Sequence, residues 1–312
     1  MVLTKFPDLE WLKHQAENSF ENRQSWSGKP LPNKGWPNVI LNVSTNHTFR
    51  DNIRGPLSIF TNIAGESTVT ADRRRISIKE NFFFVTNRDQ YYTLEIDQRK
   101  PTQTFNVHFG EYFTDQVFSS LSLKEDQLLE EPFQFPQERL EFHNTLYYRD
   151  NVVNGYILEI KDQPNADPCW LEEKLYDLMG HLLKKEKDLL KIQAKLPALK
   201  SSTRCEILKR LLQVTDYIHA HLHEDLSLDQ LASVGCLSKF HFLRLFKIAF
   251  GRTPYQFISE ERIRNGKELI KNTRLEIHEI AKSLGFDNSS SFSRMFFNHV
   301  GVYPTQLRQA LP

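Results

Sequence analysis

The chain is predicted to be α+β, with a β-rich N-terminal half and an all-helical C-terminal third. Three observations predict this. Residues 39–160 hold short runs rich in Val, Ile, Phe, Tyr and Thr, broken by turn-forming residues. From Thr203 onward apolar residues recur every three to four positions, the period of a helix. Within that helical part the sequence repeats itself. Arg244-Leu-Phe-Lys-Ile-Ala-Phe-Gly-Arg-Thr-Pro254 returns fifty residues on as Arg294-Met-Phe-Phe-Asn-His-Val-Gly-Val-Tyr-Pro304, with Arg, Phe, Gly and Pro in matching places.

The β-rich part contains the runs NVILNVS, PLSIFTNIA, STVTA, RRISI, NFFFVT, YYTLEI and TFNVHF. Turn signals at Arg54-Gly-Pro, Gly65-Glu, Lys79-Glu-Asn and Asn87-Arg-Asp separate them. Ile76 and Ile78 alternate with Arg75 and Ser77, as on a strand with one buried face. Short strands at this spacing suggest a sandwich or small barrel. Residues 115–150 have acidic runs and two prolines, so loop and short helix are expected there.

Residues 168–196 read as one long helix. Leu171, Leu175, Leu178, Leu182, Leu189, Ile192 and Leu196 follow four-three spacing, with Lys185 interrupting one core position. The stripe is either a coiled-coil seam between two chains or the buried face of a helix packed on its own β-domain. Pro197 and Ser201-Ser202 close the segment.

Helices are expected at 204–222, 228–234, 239–249, 254–271, 276–283 and 289–299. Thr203-Arg-Cys-Glu206 and Ser227-Leu-Asp-Gln230 have the capping-box pattern, and Thr253 precedes a Pro at the first helical position. Leu211, Ile218 and Leu222 stripe the first of these helices.

Each repeat reads as helix, turn, helix. In the first, Leu228, Leu231 and Ala232 face inward on the scaffold helix, and Ser238 can cap the next. On that second helix Phe242, Leu245, Phe246 and Ala249 form the buried face. Lys239, Phe240, His241, Leu243, Arg244 and Lys247 are left for other surfaces, the design of a major-groove reader. Leu243 could touch a thymine methyl or pack against its own domain. In the second repeat Ile277, Ile280, Ala281 and Leu284 form the scaffold face, and Gly285 sits at the turn. Asp287 or Asn288 caps the next helix, with Phe292, Met295, Phe296 and Val300 inward. Ser289, Ser290, Ser291, Ser293 and Arg294 stay outside. Small serines admit close approach, and Arg294 can make a bidentate contact to guanine or bind a phosphate.

Composition is that of a soluble globular protein, and no run of eighteen apolar residues is present to span a membrane. The N-terminus lacks the apolar core of a secretory signal. Cys169, Cys205 and Cys236 match no metal spacing and fit reduced thiols in a cytoplasm. The net charge of +1 hides an asymmetry: residues 201–312 hold 15 of the 40 basic and 11 of the 39 acidic residues. A basic segment on an acidic body fits a nucleic-acid module joined to something else.

The segments LSLDQLA, LSKFHFLRLFK and IHEIAKSLGFDNSSSFSRMF, each reading segment followed by G-x-x-P, resemble the DNA-binding domain of the AraC/XylS family of bacterial transcription regulators. The resemblance covers residues 205–312. It implies two helix-turn-helix units joined by a central helix at about 254–271, with recognition helices at 239–249 and 289–299. It carries base reading onto Phe240, His241, Leu243, Arg244, Ser289, Ser290, Ser291 and Arg294, and phosphate contact onto Lys247; Lys239 is included in the DNA-binding set. Two positions depart from the family pattern. Cys236 stands where the first turn usually has Gly, and Phe297 stands where the second unit often has Lys. The N-terminal region resembles the family's cupin-like sensor barrel through NFFFVTNRDQYYTLEI and TFNVHFGEYF.

The expected domains are a cupin-like sensor at 1–165, a helical linker and dimerisation segment at 166–204, and the DNA-binding domain at 205–312. The reading is a transcription regulator, not an enzyme, that places its two helices in successive major-groove segments. Double-stranded DNA, a small-molecule effector of unknown identity, RNA polymerase and a second copy of the chain are its expected partners. No cofactor or metal is expected. His108 and Glu111 lack the H-x-H that a metal cupin uses. His219 and His223 share a helix face, which a solvated helix end explains better than a metal pair. An enzyme targeted to DNA and an architectural DNA-binding protein are the alternatives. The missing ligand set opposes the first, and a β-domain larger than the DNA module opposes the second.

Overall fold

The computed structural model describes residues 2–8, 10, 36–122 and 141–310. The chain divides into two compact units, Met1–Lys187 and Asp188–Pro312.

The first unit has strands β1 (Val2–Leu3), β2 (Val39–Arg54), β3 (Ser58–Ala64), β4 (Ser67–Ala71), β5 (Arg74–Ile78), β6 (Phe82–Thr86), β7 (Tyr91–His108) and β8 (Leu146–Tyr148). β1 runs parallel to β2 and the other pairings are antiparallel, so the sheet is mixed. Its order is β1-β2-β7-β3-β6-β8, with β4 pairing β7 and β5 pairing β4. β7 works as the spine. Its first part pairs with β4 and its last part with β3, while β2 follows it along both. Asp72 and Arg73, at φ 49° and 62°, turn β4 into β5, as a two-residue hairpin of this hand requires. Ile76 and Ile78 are buried and Arg75 is exposed, as the alternation predicted. They join Phe60, Val69, Phe84, Tyr92 and Leu94 in one core.

Helix α1 (Glu111–Ser122) follows β7, so the region expected from residue 115 as loop and short helix begins with a short helix. Residues 123–140 lie outside the described residues, and within 141–150 the strand β8 (Leu146–Tyr148) stands where loop and short helix were expected. Next come α2 (Asn151–Asp162) and α3 (Pro168–Lys195). Leu171, Leu175, Leu178 and Leu182 of α3 are buried, and polar contacts hold it to the first unit. Glu186 accepts from the Tyr147 hydroxyl and the His143 backbone N–H, and Lys185 pairs with Asp150 at 2.7 Å. Lys185 therefore interrupts the stripe because it has a partner within the unit. Leu189, Ile192 and Leu196 pack into the core of the second unit. The leucine stripe is thus taken up within the chain, as a packed amphipathic helix.

The second unit holds α4 (Ser201–Ala220), α5 (Leu228–Val234), α6 (Lys239–Phe250), α7 (Pro254–Asn272), α8 (Ile277–Ser283), α9 (Ser289–Val300) and α10 (Pro304–Gln309). The capping box expected at Thr203 does not form. α4 starts at Ser201 with Lys200 in the cap position and no side-chain cap. Ser227 and Ser238 cap α5 and α6 as predicted, and Thr253 makes a reciprocal box with Gln256 at the start of α7. There are two apolar centres. Leu211, Ile218, Leu231, Ala232, Phe242 and Phe246 belong to one. Ile280, Ala281, Phe292 and Phe296 belong to the other. α7 serves both, with Phe257 and Ile258 in the first and Ile263 and Ile270 in the second.

Candidate nucleic-acid interface

Burying one face of α6 and of α9 determines what the opposite face offers. On α6 the side chains of Phe242, Leu245, Phe246 and Ala249 are buried. Lys239, Phe240, His241, Arg244 and Lys247 are exposed, and Leu243 is half-buried. Phe240 is 79% exposed, a cost in water that a partner surface would remove. On α9 Phe292 and Phe296 are buried, while Ser290, Ser291 and Arg294 are exposed and Ser289 is half-buried. Among the described residues Arg244, Lys247 and Arg294 make no ion pair. Lys239 does, reaching Asp229 on α5 at 2.6 Å. All ten predicted positions therefore lie on two helix faces, with one cation already engaged.

The turns aim these faces. In both units a residue within the turn donates its N–H to the Ala carbonyl of the scaffold helix: Leu237 to Ala232 and Phe286 to Ala281. The second turn is one residue longer, Leu284–Asn288 against Gly235–Ser238. Asn288, not Asp287, caps α9 by accepting from the Ser291 N–H at 2.8 Å. Gly285 has φ +76°, and a Cβ there would lie 2.6 Å from the His223 carbonyl oxygen. Cys236 occupies the same left-handed region at φ 50°, while Gly235 has an ordinary negative φ. The turn geometry is kept despite the Cys, at a strain of about 1 kcal/mol.

The residue that sequence reasoning missed is Arg262 on α7. Its Nε donates to the Leu222 carbonyl at 2.9 Å, Nη2 to Glu224 at 2.7 Å and Nη1 to Gly285 at 3.1 Å. Its guanidinium also lies over the Phe286 ring. One side chain thus ties the loop after α4 to the turn of the second reading unit. Burial lowers its pKa from the usual arginine value, with Asp225 opposing that shift. The only sequence signal was an Arg next to buried Ile263 on the inward side of a helix. Gly266 plays a related part: a Cβ there would meet the Phe292 ring at 2.9 Å, so the glycine lets α9 pack closely on α7.

His219 corrects an expectation. It is half-buried beside Glu261 at 3.5 Å rather than solvated at the helix end, and Arg264 also reaches that carboxylate. Among the described residues no group of three or more His, Cys, Asp or Glu is placed to hold a metal. In the first unit His108 is buried, 2.8 Å from the Ser58 hydroxyl, and Glu111 pairs with Arg88 at 2.7 Å. Tyr92 is buried and Tyr91 exposed. Arg74 and Arg75 have partners in the Asn144 carbonyl and Glu95. No helix of the described residues is long and apolar enough to cross a membrane.

Two helix-turn-helix units on one central helix, each with an exposed Arg on its second helix, define a double helix-turn-helix DNA-binding domain. A family model described as a helix-turn-helix domain matches residues 231–310. The MmsAB operon regulatory protein of Pseudomonas aeruginosa is 36% identical over 93 residues, covering 30% of each chain. The regulatory protein PocR of Salmonella typhimurium is 35% identical over 95 residues, covering 30% of this chain and 31% of that one. The DNA-binding domain of AdpA, a global transcriptional factor solved with a target DNA, is 26% identical with a TM-score of 0.32. That comparison covers 32% of this chain and 91% of AdpA's domain. These similarities agree with the resemblance of residues 205–312 to the DNA-binding domain of the AraC/XylS family. The matches span from 30% to 63% of the length of the first curated relatives.

Proposed function

We propose that this chain is a sequence-specific transcription regulator, and not an enzyme, acting in a cytoplasm. Its α6 and α9 enter successive major-groove segments of double-stranded DNA, about 34 Å apart along one face. One observation carries the reading: two helices with buried inner faces present unpaired Arg244 and Arg294 from matching positions of a repeated frame. Phe240, His241, Leu243, Ser289, Ser290 and Ser291 complete the base-reading set, and Lys239 and Lys247 serve the phosphates. The mixed sheet of the first unit senses a small molecule or a protein partner, and RNA polymerase is the machinery addressed. A second copy of the chain is a proposed partner. Selection from random DNA tests the function. The enriched site should contain two unlike half-sites about one helical turn apart. Failure to enrich any sequence would defeat the proposal.

A further inference from the structure

The two reading helices share a frame but not a chemistry. α6 carries Lys239, Arg244 and Lys247, whereas α9 carries Arg294 alone among Lys and Arg. In the repeat Phe297 takes the place of Lys247. It is 40% exposed and stacks on Tyr303, itself 47% exposed, with ring centroids 4.6 Å apart and an interplanar angle of 24°. Val302 is exposed beside them in sequence. Gly301, at φ +83°, reverses the chain between the two rings and so allows the stack. Phe297 lies three residues after Arg294, on the same side of α9, so the aromatic pair continues the reading face.

We propose that Phe297 and Tyr303 form an apolar shelf that rests against the deoxyribose edge of the DNA backbone beside the segment read by Arg294. The second reading head then grips DNA with little charge, and the first supplies most of the salt-dependent attraction. This rests on the DNA-binding reading above. Its continuity with that interface, and its occupation of the Lys247 position, select DNA as the occupant. A buried ring edge is insensitive to salt, whereas each lysine–phosphate contact adds about one to the slope of log affinity against log salt.

The experiment titrates full-length Phe297→Ala, Tyr303→Ala and Phe297→Lys proteins against the selected site at several salt concentrations. Circular dichroism verifies folding. The two Ala variants should lose roughly five- to tenfold in affinity with an unchanged salt slope. Phe297→Lys should bind with a slope steeper by about one. Ala variants that are folded and bind like wild type would overturn the shelf and leave the patch to a protein partner. A shallower slope in the Ala variants would overturn it as well. If wild-type protein shows no specific binding, the DNA-binding reading fails before this inference is reached.

Discussion

Three side chains carry most of the mechanical consequence at the residue scale. Arg262 satisfies three backbone carbonyls at once, and no smaller residue can do so. Arg262→Ala should lower the stability of the C-terminal unit by about 2–3 kcal/mol, because several charge-assisted bonds vanish and carbonyls are left unpaired. Thermal unfolding followed by circular dichroism measures this. Cys236 works against the fold through its positive φ. Cys236→Gly should therefore raise stability by about 1 kcal/mol, and a loss would show that its side chain contributes packing of its own. His108 gives a pH dependence. Burial lowers its pKa from 6.5 to about 4, so the folded state holds it neutral. Its contribution is fully present above pH 6.5 and is lost as pH falls through about 4, because the unfolded chain binds the proton first. Denaturant midpoints of the full chain across that window should decline on acidification, and His108→Gln should decline less.

At the scale of the element strands and helices were both legible: STVTA and RRISI are β4 and β5, and the expected helices at 228–234, 239–249 and 289–299 are α5, α6 and α9, whereas α2 was not foreseen. The starts at Leu228, Lys239 and Pro254 followed from Ser227, Ser238 and Thr253, because a capping side chain is a local signal. The start of α4 was misread, since Thr203 and Glu206 look like a box while Lys200 takes the cap position without one. The direction of the α3 stripe was undecidable from spacing alone. Whether leucines face a second chain or their own fold depends on Glu186, Lys185 and Asp150 finding distant partners, which periodicity does not encode. The exposed faces of α6 and α9 were legible because the buried face leaves only its complement. Arg262 was not, because its acceptors Leu222 and Gly285 are brought to it only by tertiary folding. Gly285 shows the same dependence. Gly285→Ala should destabilise the second reading unit by about 2 kcal/mol through both φ and the His223 carbonyl. Amide hydrogen exchange should show faster opening in α8 and α9 than in α5 and α6.

Across the whole molecule, a mixed-sheet unit and a double helix-turn-helix unit share one chain, and the proposed function divides sensing from binding between them. Within the second unit, α7 contributes to both apolar centres and Arg262 bonds to the turn of the second helix-turn-helix, so the two share one packed frame. Under the proposed function, the shared Arg and the unlike residues around it make one frame that reads two different sequences. The most direct measurement is a gel-shift titration of the Arg244→Ala, Arg294→Ala and doubly substituted proteins against the selected site. Each single change should weaken specific binding by about 1–3 kcal/mol with the fold intact, and the double change should leave only non-specific affinity. Full-strength binding by the folded double variant would contradict the account.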